Sequence, residues 1–313
     1  MRCPQLHELP SPPPGKHGWP WTVESPQLPA TQPDGNPWPR ISIVTPSFNQ
    51  PDTIEETIRS ILLQGYPDLE YIMMDGGSKP EVTAIIEKYR PWMAKYESGP
   101  DGGQAAGINK GMSFSTGVLA NWINSDDFLQ PRALHKVAIG YTLTSAELLV
   151  GERIFRTVGG DYFTRATWHS KWGAFAFGWA DFPQDATFFT LDLYRRLEGL
   201  NPKMVYMFDT EFFYRALKVI PKLACISAPI SIMTIHGDIK TLRADDRKEG
   251  ERNLVDASRP KSLQGRLFQT FCRLRIAAAY TRVMQFLGQG TPVIAVTYDV
   301  NREIWVANTV VMP

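Results

Sequence analysis

Val118-Leu119-Ala120-Asn121-Trp122-Ile123-Asn124-Ser125-Asp126-Asp127 is the stretch on which the reading of the fold turns. A mostly apolar run passes straight into a polar, acidic cluster, as a buried strand does where it leaves a sheet. Two earlier segments repeat the pattern. Ile41-Ser42-Ile43-Val44 is a β-branched run ended by Thr45-Pro46-Ser47-Phe48-Asn49, and Leu69 to Met74 ends in Asp75-Gly76-Gly77-Ser78.

Helical signals separate these strands. After the first, Pro51 is expected near a first turn, with Asp52, Glu55 and Glu56 at the positive end and Ile54, Ile58, Ile61 and Leu62 on one face. Pro80 and Glu81 open a second helix carrying Val82, Ile85, Ile86 and Tyr89. A third follows Asp101-Gly102-Gly103-Gln104 and runs to about Phe114. Strand–helix alternation predicts an α/β fold, a mostly parallel sheet flanked by helices. Such sheets bind ligands beyond the carboxyl ends of their strands. Three polar clusters therefore converge on one edge, whatever the strand order.

The flanks differ in character. Residues 1–39 hold 11 of the 25 prolines together with Trp19, Trp21 and Trp38. Proline favours extended backbone, while the tryptophans argue against a free tail, so the segment from about Trp19 is expected to strap across the body. Later, Leu148–Gly151 and Arg153–Phe155 read as short strands, 162–182 as an aromatic groove lining, and Asp209 to Val219 as a helix. Pro229 to Ile235 reads as a strand, 262–287 as a basic amphipathic stretch, and Thr291 to Pro313 as one or two short strands. The expected division is a proline-rich extension at 1–39, a main domain at 40–241 and a helical and β extension at 242–313.

Composition narrows the class. A net charge of +1 gives the whole molecule no field that would draw it to nucleic acid. Cys3, Cys225 and Cys272 show neither metal spacing nor a disulfide framework, which favours a reducing compartment. No apolar run approaches the roughly 18 residues of a membrane span, and no secretory signal opens the chain. A soluble cytoplasmic protein is expected, with 262–287 a candidate for peripheral contact with the inner membrane face.

The candidate chemistry lies at the strand ends. Asp126 and Asp127 repel each other and suit a divalent cation, although an acidic pair before a helix also reads as an N-cap. Asp75 suits a carboxylate accepting from a base or a ribose hydroxyl, or a turn aspartate bracing Gly76-Gly77. Asp101-Gly102-Gly103-Gln104 offers backbone amides at a helix start. Asp209 and Glu211, among apolar neighbours in Met207 to Phe213, suit a general base or cap the helix that starts there. His236 could touch metal or phosphate, or stay a solvated loop residue. No zinc spacing, Walker sequence, Gly-x-Ser-x-Gly elbow or Gly-x-Gly-x-x-Gly fingerprint is present.

Taken together, Ile41–Asn49, Ile54–Ser78, Pro100–Gly111 and Leu119–Asp127 resemble the family 2 glycosyltransferases of the GT-A fold, of the bacterial polysaccharide and cell-wall type. The resemblance implies an inverting hexosyl transfer (EC 2.4) from a nucleotide-sugar to a polysaccharide or lipid-linked acceptor, dependent on Mg²⁺ or Mn²⁺. It implies that Pro46, Ser47, Asn49, Asp75, Asp101, Gln104, Asn109 and Lys110 surround the donor, with Asp126 beside them. Asp127, with Asp126 and His236, falls at the metal, Asp209 beside Glu211 at the catalytic base, and Gln184 on the acceptor side. Two departures stand out. Lys79-Pro80 replaces the Thr-Asp common after Gly-Gly-Ser, and Ala106-Gly107 replaces the Asp-Ala of Asp-Ala-Ile-Asn-Lys-Gly, which is expected to loosen a helix and alter the donor pocket. A catalytically inactive nucleotide-sugar-binding protein and a nucleotidyltransferase are the competing readings. The second lacks its glycine-rich basic loop after the first strand.

Overall fold

Ile41–Ser47 forms β1, buried along its whole length as a β-branched run covered on both faces should be. The computed structural model describes residues 1–157, 160, 162–164, 182–221, 223–235, 246–258, 291–299 and 304–312. The aromatic run at 165–181, His236 and the basic stretch 262–287 lie outside the described residues. β1 pairs in parallel with β2 (Leu69–Asp75) on one side and β4 (Leu119–Trp122) on the other, and β3 (Lys95–Ser98) continues in parallel beyond β2. On the far side β8 (Thr187–Thr190) runs antiparallel between β4 and β6 (Leu148–Thr157). β9 (Leu223–Ile235) is parallel to β6, β10 (Thr291–Asp299) is parallel to β9, and β11 (Ile304–Met312) closes the sheet antiparallel. Two short strands attach off this path, β5 (Asp127–Leu129) to β9 and β7 (Tyr162–Thr164) to β6.

Two cores sandwich the sheet. One joins it to α1 (Ile54–Leu62), α2 (Pro80–Lys88) and α4 (Ala133–Thr144). The other joins it to α3 (Gln104–Phe114), α5 (Leu191–Arg196), α6 (Phe208–Val219) and, through Val255, α7 (Asp246–Ser258). The expected mostly parallel α/β architecture is the one observed.

The proline-rich segment is strapped to the body from its first residue rather than from Trp19. The Met1 amino group donates to Leu69 O at 2.8 Å, Cys3 N–H to Tyr66 O at 2.8 Å and Trp19 Nε1 to Leu129 O at 2.8 Å. A segment rich in proline makes few hydrogen bonds of its own, so its carbonyls need outside donors. Arg59, on α1 and fully buried, supplies them. It donates to Pro10 O at 2.8 Å, Pro20 O at 3.1 Å and Trp21 O at 2.9 Å. Its charge reaches Glu55 through the Tyr89 hydroxyl, which accepts from Arg59 at 3.1 Å and donates to Glu55 at 2.8 Å. With the strap over Arg59 on one side and β5 and β6 meeting Glu56, Thr57 and Ser60 on another, all nine residues of α1 are buried.

Other expectations shift in detail. Pro51 lies in a turn, and α1 starts at Ile54. The two short strands expected at 148–155 are one, β6, irregular beside Gly151, where a side chain would collide with Ile230. β3, β5 and β8 were not expected. They span three or four residues each and take their order from their neighbours.

Arg59→Met keeps the packed stem but leaves three carbonyls, two of them buried, without their donor. It is expected to lower stability by roughly 3 kcal/mol and to expose residues 1–39 to protease first, as read by thermal melting and limited proteolysis.

Candidate active site

The parallel register brings the functional side chains to one edge. Ser47 stands opposite Asp75, Asp75 opposite Ser98, and Val44 opposite Trp122, so β1 to β4 all end there. Because β8 runs the other way, the turn that feeds it, Gln184–Ala186, arrives at the same edge.

Beyond β1 to β3 the Asp75 carboxylate is drawn into its own turn. Oδ2 accepts from Gly77 N at 3.2 Å, Ser78 N at 2.9 Å and Ser98 Oγ at 2.6 Å, while Oδ1 accepts from Ser78 Oγ. Asp75 therefore braces the glycine bend, and a carboxylate oxygen with two acceptor directions leaves one on Oδ1. Asn49, left-handed at φ 53°, donates its N–H to Ser78 Oγ at 2.8 Å and accepts from Lys79 N at 3.0 Å. Pro46 stands opposite Met74 in the ladder, and the buried Ser47 Oγ has no hydrogen-bond partner among the described residues. A cleft here is lined by Asp75, Glu97, Ser98, Pro100, Asp101 and Lys110, with Lys110 paired to Glu97. Phe48, 61% exposed, brings its Cδ2 within 3.4 Å of where a side chain at Gly76 would begin, as Asp101 Oδ2 does from the cleft.

A hydrogen-bonded chain crosses the edge from Gln104 to Gln184. Gln104 Nε2 donates to Asn124 Oδ1 at 2.8 Å, and Asn124 Nδ2 donates to Asp127 Oδ2 at 3.2 Å and Gln184 Oε1 at 3.3 Å. Gln184 Nε2 donates to Trp122 O at 2.5 Å and Asn121 Oδ1 at 3.2 Å. Its amide is thus engaged inside the protein, where it orients Asn124. Asp127 opens β5 and caps no helix, since α4 begins at Ala133. Its Oδ2 therefore meets Asn124 instead of a helix amide.

Beyond it lie Arg153 and Asp185. Arg153 Nε donates to Asp185 Oδ1 at 2.6 Å, while Asp185 Oδ2 is buried without a hydrogen-bond partner among the described residues. Burial, then the charges of Asp185 and Asp126, push the Asp127 carboxyl well above the usual range. Burial opposes the charge of Arg153, but Asp185, Asp127 and Asp209 outweigh it and raise its pKa. Asp209, the second residue of α6, is also raised by burial, against the Thr210 N–H that donates to Oδ1 at 2.6 Å. The helix cap position is Met207, so Asp209 is no cap.

Two expected site residues face structural partners. Glu211 is locked bidentately to Arg215, at 2.7 and 2.8 Å, and Arg215 continues to Gly199 O at 2.7 Å. Asn109 fastens the Leu200 turn, donating to Leu200 O at 2.8 Å and accepting from its N–H at 2.9 Å. Sequence reading missed Arg153, Asp185, Asn124 and Phe48. A charged residue inside a strand expected to be buried was the available signal for Arg153, and adjacency to Gln184 the one for Asp185.

Among the described residues, no three His, Cys, Asp or Glu side chains group closely enough to form a complete protein cage for a metal. Mg²⁺ and Mn²⁺ do not need one, because one or two carboxylates plus phosphate oxygens and water suffice. The residues fit that mode: Asp127 is strained by neighbouring negative charge, Asp185 Oδ2 lacks a hydrogen-bond partner among the described residues, and Asp126 is half-exposed beside them. No helix among the described residues is long and apolar enough to cross a membrane.

The model of a family described as "Glycosyl transferase family 2" matches residues 42–214. An uncharacterized glycosyltransferase of Mycobacterium tuberculosis is 29% identical over 252 residues, covering 79% of this chain and 92% of that one. The chondroitin synthase of Pasteurella multocida is 25% identical over 70% of this chain, which spans 23% of that longer protein. Among solved structures, that of S. aureus TarS in complex with UDP-GlcNAc superposes with a TM-score of 0.60 at 15% identity, covering 79% of this chain and 73% of that one.

Since the Asp127 carboxyl is raised, ionising it costs the folded state, and stability falls as pH rises from the ordinary carboxylate value through the raised one. Asp127→Asn is therefore expected to melt higher than the unsubstituted protein at pH 7 without divalent cation, and to show no further rise when Mn²⁺ and a nucleotide-sugar are added.

Proposed function

We propose that this chain, which belongs to glycosyl transferase family 2 and is a glycosyltransferase, transfers a sugar with inversion from a nucleoside diphosphate sugar to a hydroxyl of a polysaccharide or lipid-linked acceptor. The observation that carries the reading is a pair of buried carboxylates, Asp127 and Asp209, both raised by burial and both within the field of Arg153, beside a separate cleft lined by Asp75 and Asp101. Membership of the family sets aside the nucleotidyltransferase reading.

Each part of the reaction has a residue suited to it. Phe48 offers an exposed aromatic face on which a base can stack, with Asp75 Oδ1 and Asp101 available to base and ribose donors. Asp127 and Asp126 would hold Mg²⁺ or Mn²⁺, which when bound neutralises the leaving diphosphate as a Lewis acid. Asp209, with a pKa already raised, takes the proton of the attacking acceptor hydroxyl as general base. A single base and a single displacement invert the anomeric centre. Asn124, oriented by Gln104 and Gln184, holds Asp127 in place, and Arg153 limits the repulsion among the carboxylates.

Relatives suggest where to begin: TarS structures carry UDP and UDP-GlcNAc, and uridine diphosphate sugars are the first donors to try. Residues 40–241 would form the catalytic unit, working in the cytoplasm. His236 as a further ligand and 262–287 as a membrane contact belong to the same proposal.

UDP-GlcNAc with Mn²⁺ is expected to raise the melting temperature where neither does alone. Asp209→Asn should keep that shift yet release UDP roughly 10²–10⁴-fold more slowly. The pH profile of UDP release should fall on its acid side at a pH above the ordinary aspartate value, because the base must be ionised. Tight binding of the donor without turnover across a broad acceptor panel would instead favour the inactive binding protein.

A further inference from the structure

Three successive backbone N–H groups before α6 converge on one carboxylate. Glu251 Oε1 accepts from Val205 at 2.6 Å, and Oε2 accepts from Tyr206 and Met207 at 2.9 Å each. Consecutive amides turned to one side form an anion-binding hollow, here filled by a side chain that lies 44 to 46 residues further along the chain. Glu251 is 6% exposed and rides on α7, which is anchored through buried Val255 to the core that also holds α6.

The location gives this contact its meaning. Met207 immediately precedes α6 and has no side-chain cap, so the hydrogen bonds from Glu251 fix the angle at which the chain enters the helix. Asp209 comes two residues later. Its Oδ1 takes the Thr210 N–H, a contact one residue away that moves with the helix and cannot set its direction. A simple stabilising cap would engage the amides of the first helical turn, whereas Glu251 grips the turn outside it.

We propose that Glu251 is a positioning residue for the transfer, holding the Val205–Met207 turn so that Asp209 meets the acceptor hydroxyl. This rests on the reading of Asp209 as the general base. It makes α7, and with it part of 242–313, a working part of the catalytic apparatus.

The test uses the full chain, with Mn²⁺ and UDP-GlcNAc as the probe, in Glu251→Ala, Glu251→Gln, Asp209→Asn and the Asp209→Asn/Glu251→Ala double variant. Misplacing a catalytic group by an ångström or less costs roughly 10- to 100-fold, so Glu251→Ala should lower kcat for UDP release by that factor with donor KM within about twofold. Glu251→Gln, whose amide oxygen still accepts from the turn, should recover part of it. Hydrogen exchange at residues 205–207, which needs no turnover, should quicken at least about tenfold in Glu251→Ala. Adding Glu251→Ala to Asp209→Asn should cost nothing more, since the two act as one unit.

A kcat unchanged in Glu251→Ala, unchanged exchange at 205–207, or an equal further loss in the double variant overturns the proposal. Should Glu251→Ala not fold, Glu251→Gln decides: wild-type kcat overturns it, and a reduced kcat with unchanged donor KM supports it. Asp209→Asn at wild-type rate would remove the base assignment itself. Inactive Asp209→Asn beside fully active Glu251→Ala removes Glu251 alone.

Discussion

Ser47 faces Asp75 and Val44 faces Trp122 because β1 is hydrogen-bonded in parallel on both sides, and that register carries three strand ends to a common edge. Side chains alternate between faces, so a slip of one residue would turn each buried set toward the wrong core. With two distinct cores closed over the sheet, the register is fixed by packing on both faces. Acidic groups reach the edge as passengers of this framework. Asp126 and Asp127 do not attract one another there; the sheet holds them together against repulsion, which is the condition a cation would relieve.

Pairing elsewhere sorts the acids into two kinds. Glu56 meets Arg156 bidentately at 2.8 and 2.9 Å, and Glu211 meets Arg215 at 2.7 and 2.8 Å. Buried pairs of this sort are poor evidence of stability, but they fix geometry. Among the described residues Asp127 and Asp209 have no such fork, and burial raises the proton affinity of both. Arg153 is shared: it commits its hydrogen bonds to Asp185 and offers the other two only its field. Groups left under-compensated within a well-paired surround are candidates for chemistry on physical grounds alone.

What could be read in the sequence was what depends on local pattern. β1, β2 and β4, the helices α2 and α3, and the clusters at Asp75, Asp101 and Asp126-Asp127 all announce themselves through periodicity and turn residues. What escaped depends on partners distant in the chain. β5 exists because Asp127–Leu129 finds β9, about a hundred residues on, at Ser231–Met233. Arg59 reads as the polar face of a surface helix until residues 10–21 are known to cover it. Glu211 and Asn109 carry suitable chemistry, yet their roles are set by Arg215 and Leu200, whose proximity no spacing reveals. Motif reading found the edge; it could not separate the groups that face the cleft from those that hold the edge in place.

The departure at Ala106-Gly107 shows how far such a distinction reaches. As sequence, glycine in place of alanine suggested a looser α3. In the structure the space a methyl group at 107 would fill is taken by the Asp101 carboxyl, whose Cγ lies 3.2 Å from that position. The same carboxyl accepts from Gly103 N at 2.8 Å, so it is drawn back against the start of α3. An alanine at 107 would push it away, toward the cleft that Asp101 shares with Asp75 and Lys110. The missing methyl group therefore acts less on the helix than on the position of a carboxylate. The room left beside Asp75 in that cleft is set from within α3, by a residue that itself carries no side chain.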